Sequence, residues 1–371
     1  MTSRFLSSKT VLSTALSLAA WVPGLAFAAT YQVTDLGALP GYATSTATSI
    51  NERGDVVGYC SPTREDMNQR AFVWRQGSLT DLGALPGGNY SLPTSINAQG
   101  VIVGDGDTGN FRPQSWVTRA GGLFQFFPNN GGNTHALFVS DSGWIGGYYT
   151  KSLGGWTSSW KGAIWSADPK KPDRLRVIDL PVLPGGINRK ATASFPAAFN
   201  QKGQAAGYAQ TDVIGQHACF WNNNATHSIV DLGVFPGDSS SVAEAINDHG
   251  QVAGTSHPAF GSRAVIWNND ANHTVAELAL LPGDNYGGAY ALNNLGHALG
   301  YSAYGVPGTW DIGPAQIVIW RDGSVFPLQS LVDANSGWVI TQAAALNHQG
   351  QIVGQGTRNG QTHALLLTPQ P

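Results

Sequence analysis

The chain has 371 residues, of which 12% are charged, 10% are aromatic and 47 are glycine, and its formal net charge is −3. This composition is typical of short strands joined by tight turns, not of helices rich in Glu and Lys. The charge balance argues against nucleic acid as a partner, and two cysteines are too few for a disulfide scaffold or a zinc site.

The first 28 residues have the pattern of a secretory signal peptide. Arg4 and Lys9 precede an apolar run from Val11 to Ala20, and Ala26-Phe27-Ala28 is a small-x-small cleavage site. The apolar run is too short to span a membrane, and no later stretch is long enough either. We therefore expect cleavage near Ala28 and a secreted, extracellular or periplasmic mature domain over 29–371, with no transmembrane segment.

After the signal, one unit is repeated seven times. Its landmark is an Asn, once a Ser, followed by Gly after three residues and by Gly again after seven; the landmark residues are Asn51, Asn97, Ser140, Asn200, Asn247, Asn293 and Asn347. Asn-x-x-Gly predicts a tight turn. Around each landmark lie four short segments rich in β-branched or aromatic residues and bounded by turn residues, which predict strands. We number the repeats 1 to 7 by their landmarks.

Four strands in about 45–50 residues, repeated in this way, predict an all-β chain folded as a seven-bladed β-propeller with four-stranded blades. The last repeat stops after its third strand, His363–Leu367, whereas the mature chain begins with an unmatched fourth strand, Tyr31–Gly37. Pairing these two strands would close the ring and cover an otherwise open edge. An open β-solenoid is the alternative, but it does not account for this match between the termini.

A basic residue in the third strand recurs with an acidic residue in the fourth. Folding one strand back on the other places the two side chains diagonally on one sheet face, within reach of each other. We expect ion pairs between Arg70 and Asp81, His217 and Asp231, Arg263 and Glu277, and His363 and Asp35. The Trp that ends most third strands is expected to pack between blades.

The triplets that begin with these basic residues read Arg70-Ala71-Phe72, His217-Ala218-Cys219, Arg263-Ala264-Val265 and His363-Ala364-Leu365. Together with the DLG-x-LPGG and IN-x-x-G phrases, they make residues 31–369 resemble the bacterial extracellular HAF-repeat proteins. The resemblance implies a secreted or surface-displayed repeat protein, for which both attachment and ester hydrolysis have been proposed. No catalytic motif carries over, and we interpret the histidine of the triplet as a partner in a structural ion pair.

The two ends of such a unit differ in regularity. The Asn-x-x-Gly turns and the third-to-fourth strand turns share one face, the turn face, and are short. The second-to-third strand loops and the crossings between repeats share the other, the loop face, and are irregular, so we expect the ligand site there. Aromatic residues outside the repeat pattern suit sugar rings or lipids; the candidates are Trp156, Trp160, Trp310, Trp338, Tyr286 and Tyr304. The alternative is that these rings pack their own loops.

Acid–base residues also occur on the loop face. His257, Asp238, Asp284 and Asp311 could form a catalytic set, and Ser239, Ser240 or Ser241 could complete a Ser–His–Asp site, although no G-x-S-x-G elbow marks a nucleophile. Asp105 and Asp107 weakly resemble a calcium loop, which lacks its third acid and its distal Glu. We expect neither a metal nor a cofactor.

We therefore predict an extracellular monomer whose loop face binds a polysaccharide, glycan or cell-envelope component. A secreted hydrolase, either an esterase or a glycan-active enzyme, is the first alternative, and a scaffold for other proteins is the second. Cys60 and Cys219 fall in repeats 1 and 4, almost opposite each other on a ring. Since a disulfide needs α-carbons within about 7 Å, we expect two free thiols.

Overall fold

The computed structural model describes residues 31–63, 68–109, 112–119, 122–125, 133–154, 157–168, 171–183, 194–210, 215–306, 308–309 and 311–370. Regular structure within these ranges is β-strand, apart from two short 3-10 helices at Leu328–Leu331 and Ala334–Ser336. The predicted signal peptide, Trp156 and Trp310 lie outside the described residues. Within the described ranges, no helix has the length and apolarity needed to cross a membrane.

The strands follow the repeats. Repeat 1 forms β2 (Thr44–Ile50), β3 (Val56–Ser61), β4 (Arg70–Arg75) and β5 (Ser78–Gly83), after the N-terminal strand β1 (Tyr31–Gly37). Repeat 2 forms β6 (Ser91–Ile96), β7 (Ile102–Gly106), β8 (Gln114–Arg119) and β9 (Gly122–Gln125). Repeat 3 forms β10 (Thr134–Val139), β11 (Ile145–Gly154), β12 (Thr157–Asp168) and β13 (Lys171–Asp179). Repeat 4 forms β14 (Ser194–Phe199), β15 (Ala205–Gln210), β16 (Gln216–Trp221) and β17 (Ile229–Gly233).

The second half of the chain continues the pattern. Repeat 5 forms β18 (Ser240–Ile246), β19 (Val252–His257), β20 (Arg263–Trp267) and β21 (Val275–Glu277). Repeat 6 forms β22 (Tyr286–Leu292), β23 (Ala298–Ala303), β24 (Gln316–Arg321) and β25 (Ser324–Pro327). Repeat 7 forms β26 (Val339–Leu346), β27 (Ile352–Arg358) and β28 (Gln361–Pro369). Within each repeat, consecutive strands pair antiparallel in chain order, so the turn face and the loop face are the two ends of these sheets.

The two ends of the chain meet in repeat 7. β1 pairs antiparallel with β28, with Tyr31 opposite Pro369 and Val33 opposite Leu367. The predicted closing strand pair is therefore confirmed. A single parallel pair between Thr44 and Thr362 also links β28 to repeat 1. Because of this link, repeats 7 and 1 form one eight-stranded sheet with β1, while the other five repeats form separate four-stranded sheets.

The landmark Asn connects neighbouring repeats as well as making the turn. Its side chain is buried, and its Oδ1 accepts backbone N–H groups of the same turn, as in Asn247 with His249 and Gln251. Its Nδ2 donates to the backbone carbonyl of the next landmark. These bonds run from Asn51 to Asn97, Asn97 to Ser140, Asn200 to Asn247, Asn247 to Asn293, Asn293 to Asn347 and Asn347 back to Asn51. The result is a belt of six hydrogen bonds around the repeats, which is interrupted between Ser140 of repeat 3 and Asn200 of repeat 4.

The two landmark glycines have different roles. The first has a φ between 75° and 84° in every repeat, the left-handed conformation that the tight turn requires. The second, such as Gly254, lies on the second strand against a bulge in the first, where pairing skips Glu244 between Ala243 and Ala245. A Cβ at Gly254 would overlap the carbonyl oxygen of Val242, and the equivalent overlap occurs in all seven repeats. The second glycine therefore permits the bulge.

The core lies between neighbouring sheets. Trp116, Trp165, Trp221 and Trp267 are fully buried, and Trp267 of repeat 5 packs with Phe220 of repeat 4. The indole of Trp221 also donates to the carbonyl of Pro181 in the preceding crossing at 2.8 Å. The predicted packing of these rings between repeats is confirmed.

The four predicted third-to-fourth strand pairs are present. The N–O distances are 3.4 Å for Arg70–Asp81 and 3.0 Å for His217–Asp231, Arg263–Glu277 and His363–Asp35. The last pair joins β28 to β1 across the closure. All are partly exposed, so each adds little stability. Cys60 and Cys219 are both buried and free, as predicted.

Candidate functional site

Two predicted ligand-binding aromatics are buried instead. Trp338 is only 5% exposed and belongs to a core cluster with Leu331 and Ile340, because the 3-10 helix before it folds the crossing down onto repeat 7. Tyr286 is 3% exposed, and its hydroxyl donates to the carbonyl of Thr309 at 2.8 Å. Both predictions were wrong for the same reason: each ring packs down its own crossing or loop, as the alternative interpretation held.

Trp160 also differs from its prediction. It lies within β12 and not in a loop, because the second and third strands of repeat 3 are longer than in the other repeats. Its half-buried ring contacts Tyr148 (centroids 5.3 Å apart), His135 (5.7 Å) and Phe195 of repeat 4 (6.5 Å). Phe195 in turn stacks on Tyr208 at 5.2 Å. This aromatic cluster fills the junction of repeats 3 and 4 and leaves Trp160 only partly accessible.

Tyr304 is exposed, as predicted, and it has exposed apolar neighbours. It is 53% exposed, Val306 45%, Ile312 51% and Phe260, in the loop of repeat 5, 51%. We call these four residues the apolar patch. The large hydrophobic residues that are exposed in the described part of the chain are Phe260, Leu295, Tyr304, Val306, Ile312 and Val339. All but Leu295 lie on the loop face, in or beside repeats 5 to 7.

The loop that carries the patch is held by backbone pairing. Gly305 and Ile312 form an antiparallel bridge, and the N–H of Val306 donates to the carbonyl of Asp311 at 2.9 Å. The Asn285 side chain bonds both the N–H (2.7 Å) and the carbonyl (3.0 Å) of Gly305. Val306 and Ile312 are therefore held next to the crossing between repeats 5 and 6, and both side chains are exposed.

No hydrogen bond within the described chain joins the His257 imidazole to Ser239, Ser240 or Ser241, although Ser240 lies opposite His257 in the pairing of β18 with β19. Ser239 Oγ donates to the backbone carbonyl of His257, not to its ring, at 3.2 Å. Ser241 is fully buried, donating to the Gly233 carbonyl (2.6 Å) and accepting from the Ala218 N–H (2.8 Å). Ser45 and Ser91 make the same two kinds of bond in their repeats, so this serine is a structural part of the repeat.

The candidate acids are likewise engaged elsewhere or isolated. The Asp238 side chain is 1% exposed and pairs with Arg263 at 3.3 Å. Asp284 accepts from Ser302 Oγ at 2.7 Å, and Asp311 is exposed. Burial lowers the pKa of the His257 imidazole, against smaller opposite effects of a backbone hydrogen bond at Gly261 and of the Asp238 charge. Among the described residues, nothing brings these three acids together around His257.

Asp105 and Asp107 are hydrogen-bond acceptors within the protein. Asp107 accepts from the Asn89 backbone (2.6 Å) and side chain (2.7 Å). Asp105 accepts from Ser115 Oγ (3.0 Å) and the Ala136 N–H (3.1 Å), and its Oδ2 lies 2.6 Å from His135 Nδ1. No group of three or more metal-ligating side chains occurs in the described residues. The weak calcium-loop prediction was wrong, since these carboxylates tie loops and neighbouring repeats together.

An axial channel forms where the first strands of all repeats meet. It has a volume of about 590 Å³ and opens at the turn face among Asn and acidic turn residues. The residues skipped by the seven bulges line it: Thr48, Thr94, Leu137, Ala197, Glu244, Tyr290 and Ala344. Each stands three residues before its landmark. A comparison of the repeats at that position could have identified the channel, which sequence reasoning missed.

Comparison with known proteins supports the fold and no particular activity. Neither a protein-family model nor a curated protein sequence matches the chain. The structure is similar to the β-propeller domain of the Trilobed protease from Pyrococcus furiosus (TM-score 0.53, 10% identity, covering 88% of this chain and 95% of that one). It is similar to a streptogramin B lyase (TM-score 0.52, 11% identity, 92% and 98% covered) and to an acylaminoacyl peptidase of Pyrococcus horikoshii (TM-score 0.50, 13% identity, 86% and 52% covered). The chain is a β-propeller.

Proposed function

We propose that this β-propeller has seven blades, is secreted as a monomer of the HAF-repeat kind, and binds an extracellular glycan or related envelope component on its loop face. The exposed apolar residues carry the proposal. Five of the six large hydrophobic residues exposed in the described chain lie on this face, in or beside repeats 5 to 7. Monomeric soluble proteins rarely expose such a group without a ligand or partner for it.

The surroundings of the patch favour a sugar over a purely apolar ligand. Tyr304 and Phe260 offer ring faces that suit the C–H faces of a pyranose. Asp311 is exposed in the same loop and can accept hydrogen bonds from hydroxyl groups. Apolar contact with a few placed polar groups is the usual chemistry of a ligand site.

The test is binding of the purified mature protein to glycan arrays and isolated polysaccharides. Tyr304→Ala and Phe260→Ala should each weaken binding at least about tenfold, as expected when a central aromatic contact is truncated. Both side chains are exposed, so the melting temperature should hardly change. Leu295→Ala is the matched control, because Leu295 is 60% exposed but lies on the turn face; it should bind like the parent.

The proposal fails if the parent binds no glycan, or if Leu295→Ala weakens binding as much as Tyr304→Ala does. The hydrolase alternative receives no support from hydrogen bonding around His257, since Ser239 and Ser241 are bonded to backbone groups and Ser240, which lies opposite His257, makes no hydrogen bond to its ring within the described chain. Chromogenic esters tested on the same protein preparation should therefore stay uncleaved.

A further inference from the structure

The bulge of the first strand directs one residue of each repeat toward the axis. In repeat 5, for example, pairing with the second strand skips Glu244 between Ala243 and Ala245. The landmark three residues later is always Asn or Ser, and the second glycine of the landmark is always Gly. The skipped residue is instead Thr, Thr, Leu, Ala, Glu, Tyr and Ala around the ring. These seven side chains determine the chemistry of the channel.

The hydroxyl oxygens of the two channel-lining threonines, Thr48 and Thr94, can accept hydrogen bonds. Thr48 Oγ1 donates to the Pro93 carbonyl at 2.7 Å, and Thr94 Oγ1 donates to the Ala136 carbonyl at 2.7 Å. Each hydroxyl thus uses its only proton on the neighbouring repeat. A Ser or Thr oxygen that has donated retains lone pairs for accepting.

Glu244 and Tyr290 face the channel from neighbouring repeats. Within the described chain, neither the Glu244 carboxylate nor the Tyr290 hydroxyl makes a hydrogen bond or ion pair with the protein. The Glu244 side chain is exposed to the channel, whose walls partly desolvate it and raise its pKa, and partial burial together with the Glu244 charge raises the pKa of Tyr290 to about 12. Ala197 precedes Glu244 around the ring and Ala344 follows Tyr290, so small side chains leave space on both sides of the pair.

Among the described residues that line the channel, the only basic side chain is a histidine at the mouth. The charged side chains of the channel are Glu52, Asp141, Asp248 and Glu244, with His348 paired to Glu52 at 3.2 Å and no Lys or Arg. The acids at the mouth are already bonded, as when Asp248 accepts the N–H of Gln201 at 2.8 Å. Their charge still adds to a negative potential, which a channel with low-dielectric walls concentrates.

The channel is also reachable from the loop face. A second cavity of about 510 Å³ lies between repeats 6 and 7 and shares Thr48 and Tyr290 with the first. Its wall includes Gln316, which is exposed, and Gln342. A ligand could therefore enter beside Tyr290.

We propose that the axial channel is a binding site for a compact organic cation with primary ammonium groups, anchored by the carboxylate of Glu244 and flanked by Tyr290. The acceptors in the wall match an ammonium group, which is donor-only, and Tyr290 adds an aromatic ring beside the charge. The volume suits a short diamine or an amino sugar more than a bare metal ion. This site is separate from the apolar patch.

The experiment is isothermal titration of the mature protein with putrescine. Glu244→Gln keeps the shape and removes the charge, and should weaken binding about ten- to a hundredfold, the range for loss of a charged hydrogen-bond partner. Ala344→Tyr should also weaken binding by filling the space beside Tyr290. The fold tolerates this change, because the same bulge position carries Tyr in repeat 6. Melting curves of both variants check that the fold is intact.

Asp322→Asn is the matched control, since it removes one negative charge from a side chain that is 85% exposed in a turn of repeat 6. It should bind putrescine like the parent. Unchanged binding by Glu244→Gln, an equal loss in Asp322→Asn, or no binding of putrescine by the parent would overturn the proposal. So would a site that takes calcium ions through Glu244 but not putrescine.

Discussion

Replacing Ser140 with Asn should complete the belt of landmark hydrogen bonds and stabilise the protein. Ser140 is the one landmark whose side chain is too short to reach the next, so the Asn200 carbonyl lacks the bond that its equivalents accept. Asn97 provides the template, with Nδ2 2.9 Å from the Ser140 carbonyl and Oδ1 accepting from the Val101 N–H at 2.8 Å. The new Asn would make both kinds of bond, replacing the present bond from the Trp144 N–H to Ser140 Oγ.

The size of the effect follows from the bonds gained and lost. One additional buried hydrogen bond should raise the free energy of unfolding by about 0.5–1.5 kcal/mol. The reverse change is larger, because Asn247→Ala removes the bond to the Asn293 carbonyl (3.1 Å) and those from the His249 and Gln251 N–H groups (both 3.0 Å). At about 1 kcal/mol for each of three backbone partners, the loss is about 3 kcal/mol. Asn247→Ser keeps one side-chain oxygen that can accept from the turn, so its free energy of unfolding should lie between those of the parent and Asn247→Ala.

Differential scanning calorimetry and urea denaturation of the four proteins would measure the order. We expect Ser140→Asn to be the most stable, followed by the parent, Asn247→Ser and Asn247→Ala. The reasoning is refuted if Ser140→Asn is less stable than the parent while Asn247→Ser is harmless. That result would mean that the Asn side chain only shapes its own turn and that the belt between repeats contributes nothing.

Two other predictions test the closure and the thiols. Deleting residues 29–37 removes β1 and exposes the edge of β28, so melting temperature and solubility should both fall; a truncated protein that melts and remains monomeric like the parent would contradict the closure. Cys60 and Cys219 should titrate as two free thiols in denatured, unreduced protein but react slowly at pH 8 in the native state. The reason is that burial raises the pKa of Cys60 to about 11 and that of Cys219 further, so little thiolate is present. Rapid native labelling, or no thiols after denaturation when intermolecular disulfides are excluded, would contradict this.

The fold could be predicted from the sequence because the chain contains seven copies of one sequence repeat. Strand order, the closing pair of β1 and β28, and the ion pair of His363 with Asp35 all followed from aligning the copies. Aligning the repeats shows which positions carry the same residue in every copy. It does not show which structural contact requires that residue. The landmark Asn was interpreted as a turn residue, while its bond to the next repeat depends on how the sheets are placed around the axis. The sequence does not explain the second glycine, because a bulge in a neighbouring strand leaves no local signal.

The candidate site was harder to predict, because a departure from the pattern has two opposite causes. Trp338 and Tyr304 both lie outside the repeat, yet one is 5% exposed and the other 53%. A long loop can fold its aromatic residue inward, as Tyr286 does through its bond to Thr309, or project it outward on a hairpin. In both cases the sequence shows only an aromatic residue outside the repeat pattern. Only the path of the backbone distinguishes them.

At the position three residues before each landmark, unlike in the loops, the backbone path is the same in every repeat. The backbone is fixed by the bulge, the bulge is permitted by the second glycine, and the side chain lines the axial channel. Residues as different in size as Ala197 and Tyr290 therefore occupy the same place without disturbing the belt of Asn bonds. Because the fold accepts residues of such different size there, it does not require a carboxylate at Glu244, which makes no hydrogen bond or ion pair within the described chain. The Glu244 side chain is exposed to the solvent of the channel, and the channel walls still raise its pKa. A cation bound in the channel would stabilise the charged form of this carboxylate.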